Sequence, residues 1–205
     1  MCYNYKLKKH QFITTVCISH TNLIVLSFQY NDQLRKGNQI MNIIFKRKSV
    51  RSYLDIDVDD ATIEQIIRAG MAAPSAKNQR PWEFYVVRNR ETLEKLAACS
   101  PFGRPMAKAP VAIVACYRTK DLYEPVMKLL DMSCCCENML IQAAALDMGS
   151  VWLSFAPHPE RQEPAKKVLN LPENLEVFAV LPVGYPMGEG KVIDRFDPAR
   201  IHWEE

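Results

Sequence analysis

The sequence is poor in the residues that build the commonest nucleotide and metal sites. Its 205 residues include only seven glycines, and none of them forms a G-x-G-x-x-G turn or a P-loop. Its seven cysteines include no C-x-x-C pair, and its four histidines are isolated from one another, so the spacings that bind zinc are absent. We therefore expect no metal site, and any bound nucleotide must be held by cations.

Long apolar runs are also missing, and the net charge is small. No stretch of 18 or more uninterrupted apolar residues exists, which excludes an ordinary membrane-spanning helix. Unpaired cysteines are typical of a reducing compartment, so we expect a cytoplasmic protein. Five basic residues against one acidic residue give residues 1–40 a charge of +4, and the total of +3 leaves −1 for residues 41–205. The charge therefore predicts neither a nucleic-acid partner nor a membrane surface.

The length suits one compact domain preceded by an extension. Residues 1–40 imitate a signal peptide, but His20 and Asn22 interrupt the apolar stretch and no small-x-small cleavage site follows. We expect an accessory or partly disordered extension over residues 1–40 and a compact domain over residues 41–205, with Met41 as its start. A cleaved export signal is the alternative interpretation of the extension.

Hydrophobic periodicity and turn residues predict intermixed helices and strands in the compact domain. Helices are predicted over residues 42–48, 59–70, 91–98, 125–148 and 159–169. Strands are predicted over residues 82–87, 111–117, 150–154 and 175–183. Because these elements do not alternate strictly as strand, helix, strand, the predicted fold class is α+β.

The longest predicted helix, residues 125–148, has few charges after Asp131, which predicts burial on most sides. The predicted buried face consists of Met127, Leu130, Cys134, Leu140, Ile141, Ala144 and Ala145. The run Cys134, Cys135 and Cys136 invites a metal site, but consecutive helical side chains point about 100° apart and cannot converge on one ion. We therefore expect these cysteines to act as small hydrophobic residues.

A cluster of basic residues lies early in the predicted domain. Residues 47–51 read Arg-Lys-Ser-Val-Arg and follow the apolar residues 43–45. Three cations and a hydroxyl can surround a phosphate, because arginine pairs with its oxygens bidentately and serine adds a further hydrogen bond. Alone, such a cluster is more often a solvated face than an anion site. Its interpretation therefore depends on the rest of the chain.

A loop bracketed by prolines follows the second predicted helix. Residues 74–82 read Pro-Ser-Ala-Lys-Asn-Gln-Arg-Pro-Trp, and the prolines disfavour helix on both sides. Ser75 and Asn78 offer small polar groups that can bond to the edge of a heterocycle. A plain surface loop beside a core tryptophan is the alternative.

Four segments in series closely resemble the nitroreductase family of flavin enzymes. The first two are the basic cluster at 47–51 and the loop at 74–82 with the Glu-Phe that follows it. The third is Gly-Ser-Val-Trp-Leu-Ser at 149–154. The fourth combines Gly-Tyr-Pro at 184–186 with Asp-Arg-Phe at 194–196. The resemblance covers residue 42 to the C-terminus and leaves residues 1–40 outside. It implies a central, mostly antiparallel sheet packed by helices, in an intertwined homodimer with flavin at the subunit interface.

The resemblance also implies which residues bind FMN. It places Arg47 and Ser49 at the phosphate with Lys48 beside them, and it adds Arg195 as a final phosphate cation. Arg51 would lie toward the pyrimidine end of the flavin, where its charge would stabilise the negative charge that the ring gains on reduction. A surface cation beside Asp55 or Asp57 is the alternative interpretation of Arg51.

Two further groups are implied on the ring side of the cofactor. The first group comes from the loop and lies near the isoalloxazine ring, often the ring bound by the partner subunit; it consists of Pro74, Ser75, Ala76 and Asn78. The second group lies along the ring, with backbone N–H groups near N5; it consists of Trp152, Leu153 and Ser154. Two residues depart from the family pattern. Arg80 stands where many members have glutamine, and Ser154 where glycine is common. The substrate side of this chain is therefore expected to have its own shape.

The implied activity is electron transfer from NADH or NADPH, through FMN, to a nitroaromatic, quinone or similar small-molecule acceptor in alternating half-reactions. A flavin carries out hydride transfer itself, so the protein needs to supply only orientation and electrostatics. A non-catalytic flavin-binding store or sensor would need the same binding residues and is the alternative. A third interpretation is a more specialised reaction, such as reductive dehalogenation or flavin breakdown.

Overall fold

A five-stranded antiparallel sheet forms the centre of the domain. The computed structural model describes residues 43–188, 190–191 and 193–204, so the predicted extension over residues 1–40 lies outside the described residues. The strands are β1 Trp82–Val87, β2 Val111–Arg118, β3 Gly149–Ser150, β4 Leu153–Ser154 and β5 Leu175–Gly184. Their order is β1-β2-β5-β3, and β4 pairs with β5 as well. The predicted mostly antiparallel sheet is confirmed.

The two central strands, β2 and β5, are buried on both faces of the sheet. In β2, Ile113 and Ala115 face one apolar cluster, whereas Ala112 and Val114 face another. This arrangement explains why the strand reads as a continuous apolar run and not as an alternating pattern. The register pairs Ile113 with Leu181 and continues to a shift after Ala115.

Helices cover both faces of the sheet. They are α1 Ile43–Lys46, α2 Asp60–Met71, α3 Arg90–Ala98, α4 Arg104–Lys108, α5 Lys128–Ala145 and α6 Pro159–Val168. Buried residues of α2 and α5 join one apolar cluster, and those of α3, α4 and α6 join the other. The side chain of Asp59 accepts a hydrogen bond from the Thr62 backbone N–H, which satisfies one free donor at the start of α2, as the sequence predicts.

The buried face of α5 differs from the predicted one. The helix is preceded by a 3-10 turn, Pro125–Met127, and its buried residues are Asp131, Met132, Cys135, Cys136, Met139, Leu140 and Ala143. Of the predicted face only Leu140 is buried, whereas Leu130 is 58% exposed. The helix packs against α2 and the sheet on its buried side, and α1 also contacts it, whereas an apolar stripe on its other side is exposed or only half-buried within the protomer. We call Met127, Leu130, Cys134, Ile141, Ala144 and Ala145 the outer stripe of α5.

Two other predictions differ in detail. The predicted strand over residues 150–154 is divided into β3 and β4, which both pair with β5 in one continuous register and leave Val151 and Trp152 between them. Helix α4 was not predicted because its five residues are too few for a periodic pattern. The remaining predicted helices and strands lie within a few residues of the observed ones.

Two of the three adjacent cysteines are part of the core as expected, whereas Cys134 is exposed. Cys135 and Cys136 are buried in α5, and burial raises the pKa of the Cys135 thiol to about 12, so that it stays protonated at neutral pH. Among the described residues, no group of three or more metal-ligating side chains could hold an ion. No helix in that same part of the chain is long and apolar enough to cross a membrane.

Candidate active site

The basic segment 47–54 lies beside the edge of the sheet, next to β3 and the chain that follows β5. The Val50 N–H donates to the Ser150 carbonyl over 2.9 Å, and the Leu54 N–H donates to the Tyr185 carbonyl over 2.9 Å. The Met187 N–H donates back to the Ser52 carbonyl over 3.0 Å. Three parts of the chain that are distant in sequence therefore meet at this segment.

Close packing fixes the segment against β3. A Cβ atom on Gly149 would lie 2.6 Å from Cγ1 of Val50, so glycine leaves the room that the Val50 side chain occupies. The Tyr53 hydroxyl donates to the Val50 carbonyl over 2.7 Å, and burial raises the pKa of Tyr53 well above its usual value. The basic side chains on either side of Val50 thus project from a rigid backbone.

A small cavity of about 270 Å³ is lined by all four predicted phosphate residues. We call it the small cavity. Its lining consists of Phe45, Arg47, Lys48, Ser49, Arg51, Lys191, Ile193 and Arg195. Arg47 and Arg195, which are almost 150 positions apart in sequence, therefore contribute to one pocket. No carboxylate lines it, so its positive charge favours an anion.

The cations of the small cavity are held in different ways. Arg47 forms an ion pair with Glu137 of α5 (Nε to Oε1, 3.3 Å). The Lys48 ammonium donates to the Gly190 carbonyl over 2.9 Å, which ties the segment to the C-terminal part of the chain. Neither Lys191 nor Arg195 has a charged or hydrogen-bonded side-chain partner among the described residues. Lys191 was not predicted, because it stands in an irregular stretch without periodicity.

A second cavity of about 650 Å³ adjoins the first at Arg51, which lines both. We call it the large cavity. Its other lining residues are Ser52, Phe102, Arg104, Pro105, Lys108, Val151, Trp152, Leu153, Ser154, His158 and Arg161. The predicted ring-side segment of Trp152, Leu153 and Ser154 thus forms part of its wall. Its size lies in the range of cavities that bind small molecules and cofactors.

The segment between β3 and β4 is held in place from both sides. The Trp152 ring packs edge-to-face on Phe178 of β5, with ring centroids 5.5 Å apart. The Arg161 guanidinium donates to the Ser154 carbonyl over 3.1 Å and lies 5.4 Å from the centre of the Phe102 ring. The wall of the large cavity is therefore fixed by contacts with β5 and α6.

The loop residues Pro74, Ser75, Ala76 and Asn78 line neither cavity of their own protomer. The loop turns sharply, because Lys77, Asn78 and Arg80 have φ values between 44° and 54°, in the left-handed region. Ser75 Oγ accepts a hydrogen bond from the Arg80 N–H over 3.0 Å. Within one subunit, the structure thus brings the basic segment and the ring-side segment together but not this loop.

A buried carboxylate holds the loop onto α5. Asp131 is 5% exposed and accepts hydrogen bonds from the Ala76 N–H over 2.9 Å and from the Gln79 amide over 2.6 Å. Gln79 also exchanges hydrogen bonds with the backbone of Glu124. Sequence reasoning noted Asp131 only as the last charge before an apolar stretch. An acidic residue on the otherwise apolar buried face of a helix needs hydrogen-bond donors, and this feature of Asp131 could have indicated that it binds a neighbouring segment.

Replacing Asp131 with alanine is expected to lower the free energy of unfolding by about 3 kcal/mol, because the half-buried Ala76 N–H and the buried Gln79 amide each lose a carboxylate acceptor. Urea unfolding measures the change. Asp57→Ala, at an exposed carboxylate without a described partner, is the matched control and should shift stability by less than about 0.5 kcal/mol. Equal effects of the two substitutions would contradict the role given to Asp131.

The two cavities fit a mononucleotide with a planar ring. The small cavity offers several cations and the Ser49 hydroxyl to a phosphate, and the large cavity has room for a ring system beside Trp152 and Ser154. Ser150, which lies between the two segments, is 5% exposed and has the one buried side-chain polar atom without a partner among the described residues. It pairs with Ser49 beside the small cavity but lines neither cavity itself.

Comparisons with known proteins give the family. The model of the nitroreductase family matches residues 44–100 and 102–185. A protein of Archaeoglobus fulgidus named "Putative NADH dehydrogenase/NAD(P)H nitroreductase" is 42% identical over 171 residues, which are 82% of this chain and 98% of the relative.

Two solved structures are similar throughout the same region. An FMN-dependent nitroreductase of Clostridium difficile R20291 has a TM-score of 0.74 at 27% identity, over 81% of this chain and 99% of that one. A "putative nitroreductase in complex with fmn" of Desulfovibrio desulfuricans has a TM-score of 0.69 at 30% identity, over 82% of this chain and 97% of that one. With its antiparallel sheet and adjoining cavities, the chain belongs to the nitroreductase family.

Proposed function

We propose that this protein transfers electrons from NADH or NADPH, through FMN, to a nitroaromatic, quinone or similar small acceptor in two alternating half-reactions. As a nitroreductase-family member, the chain is an NAD(P)H-dependent flavin oxidoreductase. The observation that carries the proposal is that Arg51 lines both a large cavity and a small cavity whose charged lining residues are all cations. That arrangement matches a phosphate at one end of the cofactor and a ring at the other.

The small cavity is proposed to bind the FMN phosphate. Arg47 and Arg195 offer guanidinium groups from two distant parts of the chain, and Ser49 adds a hydroxyl. Lys48 and Lys191 add positive charge at the rim. No lining side chain is acidic, and the Glu137 carboxylate that pairs with Arg47 lies outside the lining. The cations replace the glycine-rich loop that the sequence lacks.

The large cavity is proposed to hold the ring. When bound, FMN supplies hydride acceptance and donation. Arg51, which lines both cavities, is proposed to put its positive charge beside the pyrimidine edge, where such a charge lowers the energy of negative charge that develops in a reaction. Trp152, Leu153 and Ser154 form the wall against which the ring is oriented. Their attachment to β5 and α6 keeps that wall rigid.

A homodimer is proposed to complete the site. The loop residues Pro74, Ser75, Ala76 and Asn78 lie outside the cavities of their own protomer, so we assign them to the flavin of the partner subunit. The outer stripe of α5 offers an apolar surface for a second copy. Phe196 and Trp203 in the C-terminal stretch are 72% and 84% exposed, and a second copy would cover them too.

The cytoplasm is the proposed location of the protein.

Rapid-mixing kinetics without oxygen test the proposed activity. NADH or NADPH should bleach the flavin absorbance of the purified protein, and menadione or a nitrofuran added afterwards should restore it. A store or sensor would bind FMN equally but consume the nicotinamide cofactor no faster than free FMN does. That second outcome would replace the proposed turnover with the non-catalytic alternative.

A further inference from the structure

Helix α4 presents two basic side chains to the large cavity. Arg104 and Lys108 are four residues apart, so they lie on the same side of the helix, and both line the cavity. Neither has an ion-pair or hydrogen-bond partner for its side chain within the described part of the chain. Like charges at this spacing repel each other. The helix therefore carries an uncompensated pair of cations at the cavity wall.

The rest of the cavity does not neutralise this pair. Arg51 and Arg161 also line it, and none of its lining residues is acidic. Glu160 does lie near, 3.9 Å from Arg161 and 3.2 Å from His158, but it is not part of the lining. With Arg51 assigned to the flavin and Arg161 bonded to the Ser154 carbonyl, Arg104 and Lys108 remain without a role in holding the cofactor.

An aromatic ring stands next to these cations. Phe102 is 63% exposed, which is high for a large apolar side chain, and one side of its ring faces the Arg161 guanidinium at 5.4 Å. A planar group that enters the cavity can pack against Phe102 while an anionic substituent reaches α4. The combination is selective for a molecule that has both features.

We propose that Arg104 and Lys108 form an anion subsite that selects redox substrates with a planar ring and an anionic substituent, a carboxylate or a phosphate. The proposal rests on the function proposed above and specifies its substrate class. Two kinds of substrate carry such an anion: an electron acceptor that is an aromatic carboxylate, and the nicotinamide donor with its phosphates. In either case Arg104 and Lys108 bind the anion, and Phe102 contacts the ring.

The test compares the unaltered FMN-loaded protein with the double variant Arg104→Gln and Lys108→Gln. The acceptors are 4-nitrobenzoate and its neutral counterpart 4-nitrobenzamide, and the donor is NADH. Loss of two charged contacts should raise KM for 4-nitrobenzoate about tenfold or more and leave that for 4-nitrobenzamide within about twofold. Lys120→Gln, at an exposed lysine outside both cavities, is the matched control.

The NADH arm separates the two sources. If the anion belongs to the donor, the apparent Kd for NADH in the reductive half-reaction is expected to be about tenfold higher in the double variant. The KM values for the two acceptors should then change by the same factor. An unchanged preference for 4-nitrobenzoate together with an unchanged Kd for NADH would overturn the proposal. Equal losses for every substrate would also overturn it, because they indicate general damage to the cavity.

Calorimetric titration with benzoate provides a measurement without turnover. The unaltered protein should bind benzoate more weakly as salt is added, and the double variant should bind it at least about tenfold less tightly. Absence of benzoate binding, together with unaltered NADH kinetics in the double variant, counts against the anion subsite. Failure of the unaltered protein to take up FMN would instead count against the proposed function, and the two failures are therefore distinct.

Discussion

Replacing Arg47 and Arg195 together with glutamine is expected to weaken FMN binding by at least about a hundredfold, because each charge-assisted hydrogen bond to phosphate contributes about 1.5–3 kcal/mol. The two residues line one cavity, so both contacts are lost from the same phosphate. Fluorescence titration of the flavin-free variant measures the Kd, since flavin emission changes on binding. Ser49→Ala, which removes a neutral donor, should cost about tenfold at most.

Lys46→Gln is the matched control for this prediction. Lys46 is exposed and directly precedes Arg47, but it does not line the small cavity. Its loss changes the net charge of the same region while it leaves the proposed contacts in place, so FMN affinity should change less than about threefold. If Lys46→Gln and the double variant weakened FMN binding equally, general electrostatic attraction would explain FMN affinity, and the proposed direct contacts with the phosphate would be contradicted.

Replacing Leu130 with arginine is expected to dissociate the proposed homodimer, with a Kd for dimerisation raised at least about a hundredfold. Leu130 lies on the outer stripe of α5 and is 58% exposed in the protomer. A charge buried there between two copies would find no partner and would lose hydration. Analytical ultracentrifugation over a range of concentrations measures the association. FMN affinity should fall with the dimer, because the proposed site includes the partner's loop.

Val86→Arg is the comparison for the dimer prediction. Val86 is an apolar residue of β1 that is 43% exposed, so arginine there adds the same charge at an exposed apolar position outside the outer stripe of α5. The variant should remain dimeric and keep its FMN. A monomeric unaltered protein that binds FMN fully would contradict the proposal that the loop at residues 74–81 serves the partner's site.

The core elements of the fold could be predicted from the sequence because each has a strong local pattern. Residues 111–117 form a continuous apolar run, because helices cover both faces of the sheet there. Asp59 precedes α2 as a capping residue, and its side chain accepts the expected hydrogen bond. Patterns of this kind depend on neighbours in sequence and survive in the folded chain.

The orientation of α5 could not be predicted in this way. Its outward side is almost as apolar as its inward side, so periodicity alone does not identify the side that faces the sheet. The predicted face was wrong except for Leu140, and the other residues assigned to it form the outer stripe. The same lack of charge that misled the prediction supports the proposed contact with a second copy.

The candidate site was predicted only as far as its motifs extend. Arg47, Ser49 and Arg195 stand in segments that resemble the family, and they line one cavity. Lys191, Arg104 and Lys108 lie in an irregular stretch or a five-residue helix, where no pattern distinguishes a cavity residue from a solvated one. Only the tertiary fold brings them to the two cavities.

Titration of the flavin-free protein with FMN and, separately, with riboflavin tests the central claim most directly. The two ligands share the ring and differ in the phosphate, which the cations of the small cavity are proposed to bind. The account predicts that FMN binds at least about a hundredfold more tightly than riboflavin, and that added salt reduces the difference. Equal affinities for the two ligands, or no binding of either, would contradict it.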